Sequence, residues 1–199
     1  NLQWEYGTTI GVFGAGVHID QAGNLWLTDS GNHRVLRFPK AGGTIAKTAD
    51  LVIGQPNFTS TATGTALNRL YKPQAVSMHS LTGELYILDG ESPNYGGPCR
   101  LLVFASPFTN GMSATREIGK ASAGDQASGL FNARGFVFDP SDPNAVWVAD
   151  GGNDRILKMN TLSGALLDVI GRPDFTLNQG PGFIDWQGQS RGFRQVDGG

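Results

Sequence analysis

The chain has 199 residues, of which 39% are hydrophobic and 16% charged, and its formal net charge is −2. This composition excludes a coiled coil and a disordered tail, and no apolar run approaches the roughly 18 residues of a membrane-spanning helix. The single cysteine, Cys99, excludes an internal disulfide and a cysteine-based zinc site. Because 15 basic residues stand against 17 acidic ones, the chain lacks the basic footprint of a nucleic-acid binder.

In chain order, the predicted elements form one unit that occurs three times. The units begin at Gly16, Ala75 and Gly135, so their starts lie 59 and 60 residues apart. Each unit contains four short runs rich in Val, Ile, Leu and aromatic residues, separated by Gly, Pro, Asn or Asp, which is the pattern of β-strands joined by turns. The runs cover residues 16–20, 24–29, 34–38 and 51–54 in the first unit, 75–79, 84–89, 100–104 and 116–119 in the second, and 135–139, 145–150, 155–159 and 168–171 in the third.

Four meandering strands in a repeated unit are typical of a β-propeller blade, and no stretch has the apolar spacing of a helix. We therefore predict an all-β fold, a β-propeller arc of about three four-stranded blades that belongs to a six-bladed ring. Three blades cannot close a ring, so we expect the others from further sequence or from another subunit. The predicted divisions are an N-terminal strand or extension at 1–15, blades with their linkers at 16–74, 75–134 and 135–191, and the start of a further blade at 192–199.

The first and third units resemble a known repeat. Residues 16–38 read Gly-Val-His-Ile-Asp-Gln-Ala-Gly-Asn-Leu-Trp-Leu-Thr-Asp-Ser-Gly-Asn-His-Arg-Val-Leu-Arg-Phe and resemble an NHL repeat, as do residues 146–158. The linkers at 51–58 and 169–175 are similar to those of bacterial, often exported, NHL-repeat proteins. The resemblance implies the propeller fold and an extracytoplasmic or secreted location. The second unit departs from the pattern, with His79 where the other units carry Asp and with a longer loop before Arg100.

A six-residue turn, Asp-x-Gly-Asn-x-Arg, joins the second and third strands of the first and third units. Its polar residues are Asp29, Asn32 and Arg34 in the first unit and Asp150, Asn153 and Arg155 in the third. We interpret this turn as structural: Gly and Asn would accept positive φ, Asp would bond amides two residues on, and Arg would hold the carboxylate or a carbonyl of the next blade. His33, inside the first turn, is expected to be solvent-exposed.

The long loops supply candidates for ligand binding. Their aromatic residues are Phe58, Tyr71, Tyr95, Phe108, Phe175 and Trp186. Aromatic side chains with small polar neighbours make low-entropy anchors, so these residues could contact a protein or a glycan. The alternative is that they cap the edges of the blades.

The first strands contain candidates for a metal site. His18 and His79 lie in equivalent first strands, and Asp20 and Asp139 are nearby in the pattern. Two imidazoles near a propeller channel could bind a metal or act as acid and base at neutral pH. The resemblance supports this alternative, because metal-dependent lyases occur among related propellers.

These observations predict a non-catalytic bacterial NHL-type propeller that acts as a scaffold for a protein partner or for self-assembly. No membrane span, nucleic-acid partner or cofactor is predicted, and no residue is assigned a catalytic role. The alternative is a metal-dependent lyase or hydrolase with Ca²⁺ or Zn²⁺ in the channel, held by His18, Asp20 and His79.

Overall fold

The computed structural model describes residues 16–90, 97–119 and 129–171. The strands in these ranges are β1 (Val17–Ile19), β2 (Leu25–Asp29), β3 (Arg34–Phe38), β4 (Lys40–Ala41), β5 (Thr44–Ile45), β6 (Leu51–Ile53), β7 (Ala75–Met78), β8 (Leu85–Asp89), β9 (Arg100–Phe104), β10 (Arg116–Ile118), β11 (Gly135–Phe138), β12 (Ala145–Asp150), β13 (Arg155–Asn160) and β14 (Leu166–Gly171). Two short 3-10 turns, Ser30–Asn32 and Gly151–Asn153, accompany them. No helix in the described ranges is long and apolar enough to cross a membrane.

The strands form three four-stranded antiparallel sheets in chain order. Sheet 1 has the order β1-β2-β3-β6, sheet 2 the order β7-β8-β9-β10, and sheet 3 the order β11-β12-β13-β14. Each is a meander, because consecutive apolar runs separated by short turns pair with their neighbours. A separate hairpin of β4 and β5, which the sequence analysis missed, follows β3.

The sheets pack face to face through two shared cores. The core between sheets 1 and 2 contains Trp26 and Ile53 from one side and Leu85 from the other. The core between sheets 2 and 3 joins Leu101 to Val148 in the same way. The five residues of β8 and the five of β9 are all buried, because sheet 2 is covered on both faces. The continuous apolar runs in sheet 2 therefore follow from its central position.

A loop of sheet 2 reaches back over sheet 1. Phe108 meets Trp26 edge to face, with ring centroids 5.2 Å apart. Beyond it, the Val52 amide donates to Asn110 Oδ1 at 2.9 Å, and the Gly111 amide donates to the Val52 carbonyl at 3.1 Å. The loop thus satisfies the outer edge of β6, the last strand of sheet 1.

Sheets 1 and 3 have exposed apolar residues on the faces that point away from sheet 2, whereas the faces between the sheets are covered. Val17 and Ile19 of β1 are 64% and 55% exposed, whereas Val76 of β7 is 5% exposed. On the far side, Val137 of β11 is 64% exposed. This pattern fits blades stacked in one direction, and the all-β prediction is confirmed: the described chain is an arc of three β-propeller blades. The six-bladed ring and the division boundaries stay predictions, and the segments predicted at 1–15 and 192–199 lie outside the described residues.

Candidate functional site

The turns between second and third strands are built around a buried ion pair. In sheet 1, Arg34 Nε lies 2.7 Å from an Asp29 oxygen, and Asn32 Nδ2 donates to both oxygens of that carboxylate at 2.9 and 3.0 Å. In sheet 3, Arg155 Nε lies 2.8 Å from Asp150. Here too an Asn amide, that of Asn153, donates to the carboxylate, at 2.8 Å. Charge-assisted bonds of this kind are among the stronger ones in a protein.

The turn conformation differs from the expected one. The left-handed residues are His33, at φ 55°, and Asp154, at φ 54°, so the expectation that Gly and Asn take positive φ is wrong. The physical reason is that each turn is a right-handed 3-10 turn that ends in one left-handed residue. The amide of His33 closes the turn by donating to the Ser30 carbonyl at 3.2 Å.

Each buried carboxylate in sheets 2 and 3 also holds the linker that precedes its sheet. The Tyr71 amide donates to Asp89 Oδ1 and the Phe131 amide donates to Asp150 Oδ1, both at 2.6 Å. Burial raises the pKa of Asp89 and of Asp150, and the amide and guanidinium donors oppose that rise. The Asp150 bond spans 19 residues, so it differs from the bond two residues on that the sequence predicted for this turn.

In sheet 2 the arginine makes more contacts with the described linker residues than in sheet 3, where Arg155 donates to the linker carbonyl of Gly129 at 3.0 Å. Arg100 Nε lies 3.0 Å from Asp89, although a longer connection separates the two residues. Its other nitrogens contact Glu117 at 2.7 Å and the linker carbonyls of Thr65, Ala66 and Arg69 at 2.6, 3.3 and 3.0 Å. Arg100 is fully buried, so its donors depend on these acceptors.

The held linkers present two equivalent aromatic rings. Tyr71 and Phe131 each precede the first strand of a sheet by four residues, and each lies against a glycine of the following turn connection. A Cβ on Gly97 would lie 2.2 Å from the Tyr71 ring, and a Cβ on Gly152 would lie 2.1 Å from the Phe131 ring. The next residues, Lys72 and Asn132, are both left-handed, with φ 51° and 50°. We call Tyr71, Lys72, Phe131 and Asn132 the linker rim.

Sequence reasoning selected Tyr71 but missed Phe131. The signal was available, because Phe131 stands at the same offset before Gly135 as Tyr71 before Ala75. All four residues of the linker rim are half-buried. The rim therefore offers ring surface whose backbone is already fixed.

His33 joins sheet 1 to this rim. Its ring stacks on Tyr71 with centroids 5.7 Å apart and an interplanar angle of 24°. Its Nδ1 accepts a hydrogen bond from the Lys72 amide at 3.1 Å. His33 is half-buried, so the expectation that it is solvent-exposed is wrong, because the linker of sheet 2 folds against it.

The other predicted loop aromatics have different positions. Phe58 packs against the small cluster of Leu36 and Phe38, and its carbonyl accepts from Arg34. Phe108 packs on Trp26, as described above. Both are used as caps of a sheet. Tyr95, Phe175 and Trp186 lie outside the described residues.

Asp20 and its counterpart in sheet 3 close the turn after the first strand. Asp20 accepts from the Trp26 indole at 2.9 Å, and Asp139 accepts from the Trp147 indole at 2.9 Å. Burial alone would raise the pKa of Asp20, but the hydrogen bonds from Trp26 and Asn24 lower it overall. These carboxylates therefore already serve the local structure.

The two histidines named as metal candidates lie in different seams. His18 Nδ1 lies 3.5 Å from Ser77 Oγ, between sheets 1 and 2. His79 is 4% exposed, lies edge to face on Phe138 of sheet 3, and accepts from the Thr82 amide at 3.2 Å. Burial lowers the pKa of His18, while the charge of Asp20 opposes this. Within residues 16–90, 97–119 and 129–171, no group of three His, Cys, Asp or Glu side chains could hold a metal ion.

The sequence of this chain is similar to those of known proteins. The NHL repeat family matches residues 15–38. Peptidyl-glycine alpha-amidating monooxygenase B of Xenopus laevis is 27% identical over 174 residues, which cover 85% of this chain but 18% of that protein.

Solved structures give weaker likenesses. A streptogramin B lyase structure is 16% identical with a TM-score of 0.47, over 79% of this chain and 40% of that one. The virginiamycin B lyase of Staphylococcus aureus is also 16% identical, with a TM-score of 0.48, over 80% of this chain and 41% of that one. The family match identifies residues 15–38 as an NHL repeat, so the chain contains at least one repeat of this kind.

Proposed function

We propose that this chain is a non-catalytic interaction scaffold that binds a protein partner, or a second copy of itself, through the linker rim. The observation that carries the proposal is the pair of equivalent aromatic residues, Tyr71 and Phe131. The backbone amide of each donates a hydrogen bond to a buried carboxylate. Rings fixed in advance lose little entropy on binding, which favours their use as anchors. The linker resemblance to exported proteins supports an extracytoplasmic location, and the proposal requires no cofactor.

The test begins with peptides selected on the purified chain from a displayed library, because the partner is unidentified. The affinity of the selected peptides is then measured for the Y71A/F131A double variant. We expect a loss of about tenfold or more, since buried aromatic anchors are each worth roughly 1–2 kcal/mol or more at interfaces. Sedimentation velocity on the same variants tests the self-assembly form of the proposal.

The matched control removes an exposed apolar residue at a different turn. Leu81 is 77% exposed in the turn after β7, so L81A removes apolar surface without touching the rim. The proposal predicts that L81A binds like the wild type. It is wrong if L81A loses as much affinity as the double variant, or if the double variant binds unchanged.

A second candidate, a metal-dependent lyase or hydrolase, is favoured by the His18 contact with Ser77. The curated relative is named as an amidating monooxygenase, which supports an enzymatic role in general but not a lyase or hydrolase reaction in particular. Metal analysis of the purified protein tests this candidate, with H18A as the variant and H33A as the control. Stoichiometric Zn²⁺ or Ca²⁺ that is lost in H18A and retained in H33A would favour the enzyme, and a metal-free wild type after dialysis against both ions would count against it.

A further inference from the structure

One hydrogen bond links the turn of sheet 1 to the linker rim and depends on a single proton. The Lys72 amide donates to His33 Nδ1 at 3.1 Å. A ring nitrogen accepts only while it is unprotonated, so the contact requires neutral His33 with its hydrogen on Nε2. The imidazolium has a donor at both nitrogens and cannot accept this bond.

The backbone on both sides of this hydrogen bond has a defined conformation. Its own backbone is fixed at φ 55°, and its carbonyl accepts from the Gln55 side chain at 3.0 Å. Lys72 is left-handed at φ 51°, a conformation that a residue with a Cβ keeps only when its surroundings hold it. The histidine bond, together with the ring stack on Tyr71, is part of what holds it.

The charged groups around His33 come from three elements. Asp29 lies in its own turn and is paired with Arg34, and Lys72 lies in the linker, with its Nζ 5.8 Å from the Tyr71 ring centroid. From sheet 2, Asp89 reaches the neighbouring Tyr71 amide. Burial lowers the pKa of His33, Lys72 lowers it further, and Asp29 opposes both. The ring is therefore neutral at neutral pH.

We propose that His33 is an acid-sensitive latch of the linker rim: protonation of its Nδ1 releases the Lys72 amide and loosens Tyr71. The proposal rests on the proposed function, because Tyr71 is one of the two rim anchors. Its regulatory consequence is that a ligand held by Tyr71 is bound at neutral pH and released in mild acid.

The sign follows from the lowered pKa. A histidine that is neutral in the latched form stabilises it fully above the ordinary pKa of about 6.5, and the latch weakens as pH falls below that value. As pH falls from the ordinary pKa to the lower pKa of the latched ring, the protection of the Lys72 amide from hydrogen exchange decreases about tenfold per pH unit. This protection is obtained from the measured exchange rate by correcting for the intrinsic rate of the amide at each pH.

Nuclear magnetic resonance measures this directly on the full chain. We expect an unprotonated Nδ1 for His33 at neutral pH, and a Lys72 amide resonance that titrates with the same midpoint as the His33 ring. The H33N variant removes the titration while keeping a short polar side chain, which is what Asp154 supplies at the equivalent left-handed position, φ 54°. In H33N the pH dependence of the Lys72 amide should disappear.

Two controls separate His33 from other titrating groups. H18Q removes a different half-buried histidine and should leave the Lys72 transition unchanged. The Tyr71 amide reports protonation of Asp89, whose pKa is raised by burial, so the two amides distinguish the carboxyl from the imidazole.

The latch is overturned if Nδ1 carries the proton at neutral pH, or if the Lys72 transition survives in H33N. It is also overturned if that transition follows His18 or Asp89. The resonance measurement needs no partner, so it separates this proposal from the scaffold proposal. Peptides that are indifferent to Y71A/F131A would remove the proposed function and leave the latch standing.

Discussion

Sheets 1 and 3 have the same residues at two places, after the first strand and in the turn between the second and third strands. Sheet 2 differs from them at both places. In sheets 1 and 3 an aspartate after the first strand accepts from a tryptophan, and a six-residue turn carries the buried Asp–Arg pair. In sheet 2, His79 replaces that aspartate and Tyr86 replaces the tryptophan, and the connection between the second and third strands is longer. The Asp–Arg pair nevertheless forms in all three sheets.

The difference shows which parts of the blade are interchangeable. Tyr86 replaces the indole donor with a hydroxyl that contacts Glu84 at 3.3 Å, and Glu84 pairs with Arg116 at 2.8 Å. The donor and its acceptor have thus changed together. The Asp–Arg pair has not changed, because it contacts both the connection between the strands and the linker. The pair therefore forms whether that connection is short or long.

The largest expected effect comes from the arginine of sheet 2. R100M leaves Asp89 buried without its guanidinium partner and removes the guanidinium donor from three linker carbonyls, so we expect a loss of about 3–5 kcal/mol in the free energy of unfolding. Urea denaturation measures it. R155M provides the comparison, and we expect its cost to be smaller. Equal costs in the two variants would break the distinction between the sheets.

An intermediate effect is expected at the aspartate of sheet 1. D20A leaves the indole nitrogen of fully buried Trp26 without its carboxylate acceptor, which costs about 1–3 kcal/mol. In the W26F background the same D20A change should cost less, because no indole donor is present, although the hydrogen bonds from Asn24 are still lost. A double-mutant cycle by urea denaturation checks this, and additive costs would show that the two residues are not a unit.

The smallest expected effect is a pH dependence in sheet 2. Hydrogen bonding from Arg116 lowers the pKa of Glu84 despite partial burial. A carboxyl whose pKa is lowered on folding stabilises the protein above its ordinary pKa of about 4.3, and that contribution disappears as pH falls through the lowered value. The stability difference between wild type and E84Q should therefore narrow below about pH 4, as measured by urea titrations across that range. A difference that is constant with pH would show that the Glu84 charge is not the stabilising element.

The repeat and its strands could be predicted from sequence, because Val, Ile and aromatic runs between turn residues specify strands locally. The β4–β5 hairpin was missed although Gly42-Gly43 is a turn signal, since its strands are two residues long and exposed. The Asp–Arg pairing was within reach of sequence reasoning, because the two residues flank one turn.

The contacts of the candidate site were beyond such reasoning. Nothing local in the sequence indicates that Asp89 accepts from an amide 18 residues earlier, or that His33 stacks on Tyr71. These contacts exist because a linker folds back over the next sheet. The equivalence of Tyr71 and Phe131 could have been found by extending the alignment of the units into the linkers.

The loop that covers β6 affects how the chain associates with other molecules. An edge strand with free backbone groups recruits strands of other molecules, and proteins commonly blunt such edges. Asn110 and Gly111 occupy both backbone groups of Val52 from within the same chain. The loop of the neighbouring blade thus blocks the pairing of β6 with strands of other molecules, so we expect changes that remove these two contacts to increase aggregation.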